Sequence, residues 1–218
     1  MKNKGIEDQS YYVENIRNNY IFPFSLLNII IWIKYIFVVS YCDMWDEIPI
    51  FAYCYFAFSI VLWVVLFFQI KISKESFSIN LIRRYIMVNI VVGYNIAIGY
   101  GNIYFLNMID HFNLINIWLL YLSLVALSAF GIYMFGTNSF KEYKTRKSEF
   151  SKILGGIISL LATGSIMILG FFVPTVYDVH TDIFYSGILV FCVHLLMIRT
   201  FACYVLLKES IKEHGVLI

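Results

Sequence analysis

Six runs of apolar residues, each close to the roughly 20 that carry a helix across a bilayer core, account for most of this chain. They fall at 23–41, 49–70, 84–106, 114–135, 153–174 and 183–207. The runs are too long for strands and show no period-2 alternation. An open sheet would also leave unpaired amides in lipid. The sequence therefore predicts an all-α, polytopic membrane protein, a bundle of six transmembrane helices forming a single transmembrane domain over 1–218. Composition agrees: 61% of the 218 residues are hydrophobic and 14% charged, where a soluble domain carries about 25% charged residues. Pro23 and Pro49 fall at first-turn positions, where the missing N–H costs nothing, and Pro174 closes the fifth run. The first run follows residues of mixed charge (Lys2, Lys4, Glu7, Asp8, Glu14 and Arg17), and no small-residue cleavage site follows it. It reads as a span, not as a secretory signal.

The connections alternate in charge. Segment 71–84 holds Lys71, Lys74, Arg83 and Arg84 against Glu75, and segment 138–152 holds Lys141, Lys144, Arg146, Lys147 and Lys152 against Glu142 and Glu149. The other three connections carry Asp43, Asp46 and Glu47, then Asp110 with His111, then Asp178, His180 and Asp182, with no Lys or Arg. By the positive-inside rule, both termini and both basic connections belong in the cytoplasm, an N-in/C-in arrangement in a cell inner membrane. Residues 1–22 then form a cytoplasmic segment. Within it Tyr12, Ile16 and Tyr20 recur four apart, an amphipathic pattern suited to the inner membrane surface or to a partner. The run Ser139-Phe140-Lys141-Glu142 reads as a capping box, followed by the i,i+4 pair Glu142–Arg146.

Several polar residues fall inside the apolar runs. Lys34 lies near the middle of the first, and no Asp or Glu falls within any run to pair with it. Intramembrane cations are costly and face cavities or partners, so one reading places Lys34 on an aqueous path or a subunit interface. The other is a lysine snorkelling from a tilted helix. Arg199 is close enough to the inner end of the sixth run to snorkel. His194, deeper in that run, lacks a second intramembrane histidine for haem ligation and reads as a hydrogen-bonded structural residue. Asn95 and Asn102 are seven apart in the third run, as pore-lining groups or as polar glue between helices. Gly93, Ala97 and Gly101 recur every four residues, and Gly156, Thr163 and Gly170 repeat the small-residue theme in the fifth run. This pattern suits close helix packing and a homo-oligomer. Ala97-Ile98-Gly99-Tyr100-Gly101 resembles a potassium-channel selectivity filter. Such filters follow a short pore helix in a re-entrant loop, whereas these residues sit inside a continuous apolar run.

Four cysteines (Cys42, Cys54, Cys192 and Cys203) have no metal or redox spacing. The cluster 178–182 carries ligand types for a weak divalent site, but acidic outer loops arise from topology alone. No metalloprotease, nucleophile-elbow or phosphate-loop motif occurs, and Ser128, Ser159, Ser165 and His194 show no telling spacing. No cofactor and no nucleic-acid partner is expected. Three function classes follow. The preferred one is an oligomeric membrane sensor or anchor that engages a cytosolic protein through the basic inner face (Lys141, Lys144, Arg146 and Lys147). The heavy use of Ile, Asn, Tyr, Phe and Lys, which AT-rich codons produce, adds a bacterial defence or immunity module as its setting. The alternatives are a channel or small-solute transporter and, third, an intramembrane enzyme.

Overall fold

The computed structural model describes all residues except 1, 19–20, 47, 76–77, 140–145, 177–178 and 216–218; the side chains of 2–6, 21–22, 70–75 and 147 are also outside the description. Among the described residues eight helices follow in order: α1 (Lys2–Arg17), α2 (Ile21–Ser25), α3 (Leu27–Tyr41), α4 (Ile50–Glu75), α5 (Ile79–Met108), α6 (Ile115–Ser139), α7 (Arg146–Phe172) and α8 (Thr181–His214). Six helical stretches are long and apolar enough to cross a membrane, with α2 and α3 together making the first. The break between α2 and α3 follows Pro23. Leu26 N–H bonds the Pro23 carbonyl and Ile29 N–H bonds Leu26, both three residues back, which tightens the chain into a turn. Asn28 Nδ2 then donates to the Ser25 carbonyl at 3.2 Å. At the far end of α3, Asp43 has a positive φ of 54°, and Met44 N–H bonds the Val39 carbonyl. This Schellman closure turns the chain sharply out of the helix.

Helix α5 is the centre of the bundle. Of its most apolar window 67% is buried, against 28–33% for the other five stretches. The sequence explains the difference: α5 carries the small and polar residues that a lipid-facing helix avoids, while α4, α6 and α7 turn Phe, Leu and Ile outward. Two apolar clusters flank α5. One joins it to α6, α7 and α8 through Tyr104, Phe105, Tyr121, Ile166 and Val190; the other joins it to α3 and α4 through Ile31, Tyr35, Tyr55 and Ile103.

The closest backbone approach lies between α6 and α7. A Cβ placed on Gly131 would come within 2.6 Å of the Ser159 nitrogen, and one on Gly155 within 2.7 Å of the Phe135 nitrogen. These two glycines form the small-residue contact that lets helices pack without a hydrophobic driving force. Gly156 is looser, since a Cβ there would meet a Phe135 ring carbon at 3.4 Å, whereas a Cβ on Gly170 would come within 2.9 Å of the Phe184 nitrogen.

The helix boundaries extend beyond the apolar runs. α8 has 34 residues, about 50 Å at 1.5 Å rise per residue, well past the roughly 30 Å hydrocarbon core. Its last turns are covered by α1. Val13 and Ile16 are buried with Leu207 of α8 and with Ile82, Tyr85 and Ile86 of α5. Gln9 Nε2 donates to the Gly215 carbonyl at 2.9 Å, and Tyr85 Oη donates to the Arg17 carbonyl at 2.9 Å. The amphipathic face of α1 is thus spent on its own chain: Gln9, Val13 and Ile16 point inward and Tyr11 outward. Tyr20 lies outside the described residues. Ser139, expected to open a capping box, instead ends α6, where its hydroxyl donates back to the Phe135 carbonyl at 2.6 Å. The preceding helix simply runs on and claims the serine. Lys141, Glu142 and Lys144 lie outside the described residues.

Replacing Gly131 with Val forces branched carbons into the α7 backbone. Gly131→Val is expected to lower stability by about 3 kcal/mol or more, read as a shifted denaturant midpoint in detergent, whereas Gly164→Val, at a position with open space, leaves it within ~1 kcal/mol.

Candidate functional site in the buried polar interior

Several polar side chains of the apolar runs meet around α5 and α8 and pair with one another, while Trp32 Nε1, Trp63 Nε1 and Tyr94 Oη are buried without a hydrogen-bond partner among the described residues. Lys34 Nζ lies 2.5 Å from Asp182 Oδ1, with the ammonium also 4.7 Å from the centre of the Tyr100 ring. The lysine therefore has an acidic partner, contrary to the sequence expectation. Apolarity alone starts the sixth run at Ile183; the helix starts at Thr181 and draws Asp182 into its first turn. There the carboxylate also meets the positive end of the helix dipole. Its side chain is only 6% exposed, so the pair is a buried carboxylate held by a long, partly exposed cation. Asp182 is thereby engaged by Lys34, and Asp178 lies outside the described residues. Among the described residues no group of three His, Cys, Asp or Glu side chains is placed to hold a metal.

Below this pair, Tyr121 Oη and Ser186 Oγ are 2.6 Å apart and each bonds the Ala97 carbonyl, at 2.9 and 2.8 Å. Gly101 provides the space, because a Cβ there would overlap the Tyr121 hydroxyl. Gly99 does the same for Tyr55, whose hydroxyl donates to Asn28 Oδ1 at 3.0 Å. Asn95 Nδ2 donates to Ser59 Oγ at 2.8 Å and lies 3.4 Å from Asn28 Oδ1. Asn102 accepts from Trp118 Nε1 at 3.0 Å. The Gly-Tyr-Gly segment is thus continuous helix in which the glycines are sockets for tyrosines of α4 and α6. Gly93 faces Val193 of α8, 2.9 Å from where its Cβ would be.

A third network ties α6, α7 and α8. His194 Nε2 is 3.2 Å from Ser128 Oγ and Nδ1 is 3.1 Å from Ser159 Oγ, while Ser128 Oγ and Thr163 Oγ1 are 2.6 Å apart. Sequence spacing concealed this meeting, since the four residues come from three helices. A hydroxyl beside an imidazole is a nucleophile–base arrangement in kind. Here Ser128, Ser159, Thr163 and His194 are all buried. None of the three main cavities is lined by them. Both ring nitrogens are occupied, so the arrangement is a closed polar clamp. Arg199, about midway along α8, is exposed and directs Nη2 onto Asn15 Oδ1 of α1 at 2.5 Å. Arg146 is exposed at the start of α7. The four cysteines are free.

Residues the sequence reading passed over, namely Asn28, Tyr55, Ser59, Tyr121 and Ser186, carry much of this interior. Their signal was present as polar atoms inside apolar runs, but hydroxyls are common in such runs. No protein-family model matches the chain, and no characterised protein or solved structure shows significant similarity to it.

Removing one partner of a buried ion pair strands the other. Lys34→Met is expected to destabilise the bundle by about 3 kcal/mol, and Lys34→Met combined with Asp182→Leu to restore most of that loss, in a double-mutant cycle followed by denaturant unfolding in detergent. Additive losses would remove the pair from the account.

Proposed function

We propose that this chain is a non-enzymatic, multi-pass membrane protein that anchors or senses for a cytosolic protein partner, as an oligomer in a bacterial inner membrane with both termini in the cytoplasm. The observation that carries the reading is the docking of α1 onto the protruding end of α8 and the start of α5. It builds a fixed platform at the end of the bundle where the basic connections lie. The opposite connections are short, 6 to 8 residues each. Lys141, Lys144, Arg146 and Lys147 belong to the basic connection leading from α6 into α7 and supply charge for an acidic partner surface. A defence or immunity module fits the AT-rich residue usage.

A second reading, a channel or small-solute transporter, is supported by one observation: the Lys34–Asp182 pair, a charged contact between the first and sixth spans. Against it, Asn95 and Asn102 are both engaged in helix-to-helix hydrogen bonds. The His194 clamp, closed and away from the main cavities, gives the enzyme class little support.

The test is gentle-detergent purification at native expression, with mass determination of the complex. A stoichiometric soluble protein is expected to co-elute with the wild-type oligomer. It should be lost, with the oligomer itself unchanged, when Lys141, Lys144, Arg146 and Lys147 are all replaced by Glu. A partner-free oligomer that passes ions or solutes in liposomes, with flux altered by Lys34→Ala, would instead establish the transport reading.

A further inference from the structure

A cavity of about 500 Å³ opens between α5, α6 and α8 at the end of the bundle that α1 covers. Its inner wall is apolar and aromatic: Met87 of α5, Tyr133 of α6, and Phe201 and Val205 of α8. Its rim is cationic, with Arg83 on α5 facing Lys208 and Lys212 on α8. Lys208 and Lys212 are one helical turn apart and share a face. All three cations are exposed, and none forms an ion pair among the described residues. Glu209 is the one carboxylate in the lining. Arg83 also lines a neighbouring cavity with Arg84, so the cationic rim continues round α5.

The two kinds of lining are separated by depth. Phe201 precedes Lys208 by seven residues, about 10 Å along the helix axis. Ammonium and guanidinium groups therefore stand at headgroup level directly above an apolar wall. That is the polarity profile of a phospholipid: phosphate outside, glycerol and acyl chain inside. Arg83 supplies the planar fork suited to phosphate oxygens, and the lysines supply point charges. Basic pockets between membrane helices recognise anionic headgroups by this combination. A free phosphate would meet the rim but leave the aromatic wall wet.

We propose that this cavity is a binding site for an anionic phospholipid, its phosphate held by Arg83, Lys208 and Lys212 and its upper acyl chain lying on Tyr133, Phe201 and Val205. The cavity adjoins the partner platform, with Ile86 and Tyr204 common to both: α1 covers the face of α8 carrying Leu207 and Ile211, while the cationic rim stands on the face carrying Lys208 and Lys212. Bound lipid would hold α5, α6 and α8 together at the level where helix α6 ends.

The test uses the full chain purified in mild detergent, with native mass spectrometry after incubation with phosphatidylglycerol, cardiolipin or phosphatidylcholine. The wild type should retain the two anionic lipids in preference to phosphatidylcholine. Lys208→Gln with Lys212→Gln should reduce that retention roughly tenfold or more, whereas Arg146→Gln with Lys152→Gln, an equal change of charge on α7, should change it by about twofold at most. Inorganic phosphate in excess should not displace the lipid. Size-exclusion and melting profiles identify any variant that misfolds, in which case Arg83→Gln replaces the double substitution. Equal losses in the two double variants, equal retention of phosphatidylcholine, or displacement by phosphate alone would each overturn the assignment.

Discussion

In a bilayer a polar group has no water to turn to, and this constraint organises the molecule. Every helix except α1 is apolar enough for lipid to solvate its outer face, so apolarity alone cannot decide which helices touch. The polar side chains can. Lys34 with Asp182, Asn28 with Tyr55, Asn95 with Ser59, Tyr121 with Ser186, and His194 with Ser128 and Ser159 each find a partner on a different helix. Most of these contacts run through α5 or α8. Membrane hydrogen bonds of this kind are worth only about 0.6 kcal/mol on average. Their larger effect is on specificity, since any other arrangement would leave several of these groups unpaired in hydrocarbon.

The sequence made the gross architecture legible and the interior much less so. Length and composition mark the six spanning stretches, because the hydrocarbon thickness is a fixed ruler. Partnerships between spans have no such ruler. Lys34 seemed unpaired because hydropathy placed Asp182 in a loop, although two extra helical residues, Thr181 and Asp182, are enough to bring it in. Gly93, Ala97 and Gly101 of α5 follow a four-residue period that suggests helix apposition, yet Gly101, like Gly99, accommodates a tyrosine hydroxyl. The apposition proper uses Gly131 and Gly155, whose match lies across two helices. Ser139 carries a capping pattern that the continuing α6 overrides. The stripe read on α1 was Tyr12, Ile16 and Tyr20, whereas the buried face runs through Gln9, Val13 and Ile16 with Tyr12 at its edge, and the surface it covers, formed by Leu207 and Tyr85 from distant parts of the chain, was not legible.

The two ends of the bundle differ in kind. At one end, α1, the end of α8 and the start of α5 form a packed and positively charged surface, with the cationic cavity beside it. At the other, the chain turns back in short acidic connections, and the Lys34–Asp182 pair closes the gap between α3 and α8. This asymmetry, more than any single residue, is what supports a role for the basic end in recognition.

The account stands on that end lying in the cytoplasm, and side-specific cysteine labelling tests it most directly. On a background lacking the four native cysteines, single cysteines at Trp45, Asp110 and Thr175 should react with an impermeant maleimide from outside intact cells. Cysteines at Ser78 and Arg146 should react only after the membrane is opened. Labelling of Ser78 or Arg146 from outside, or protection of Asp110, would contradict the six-span arrangement and the assignment of its basic face.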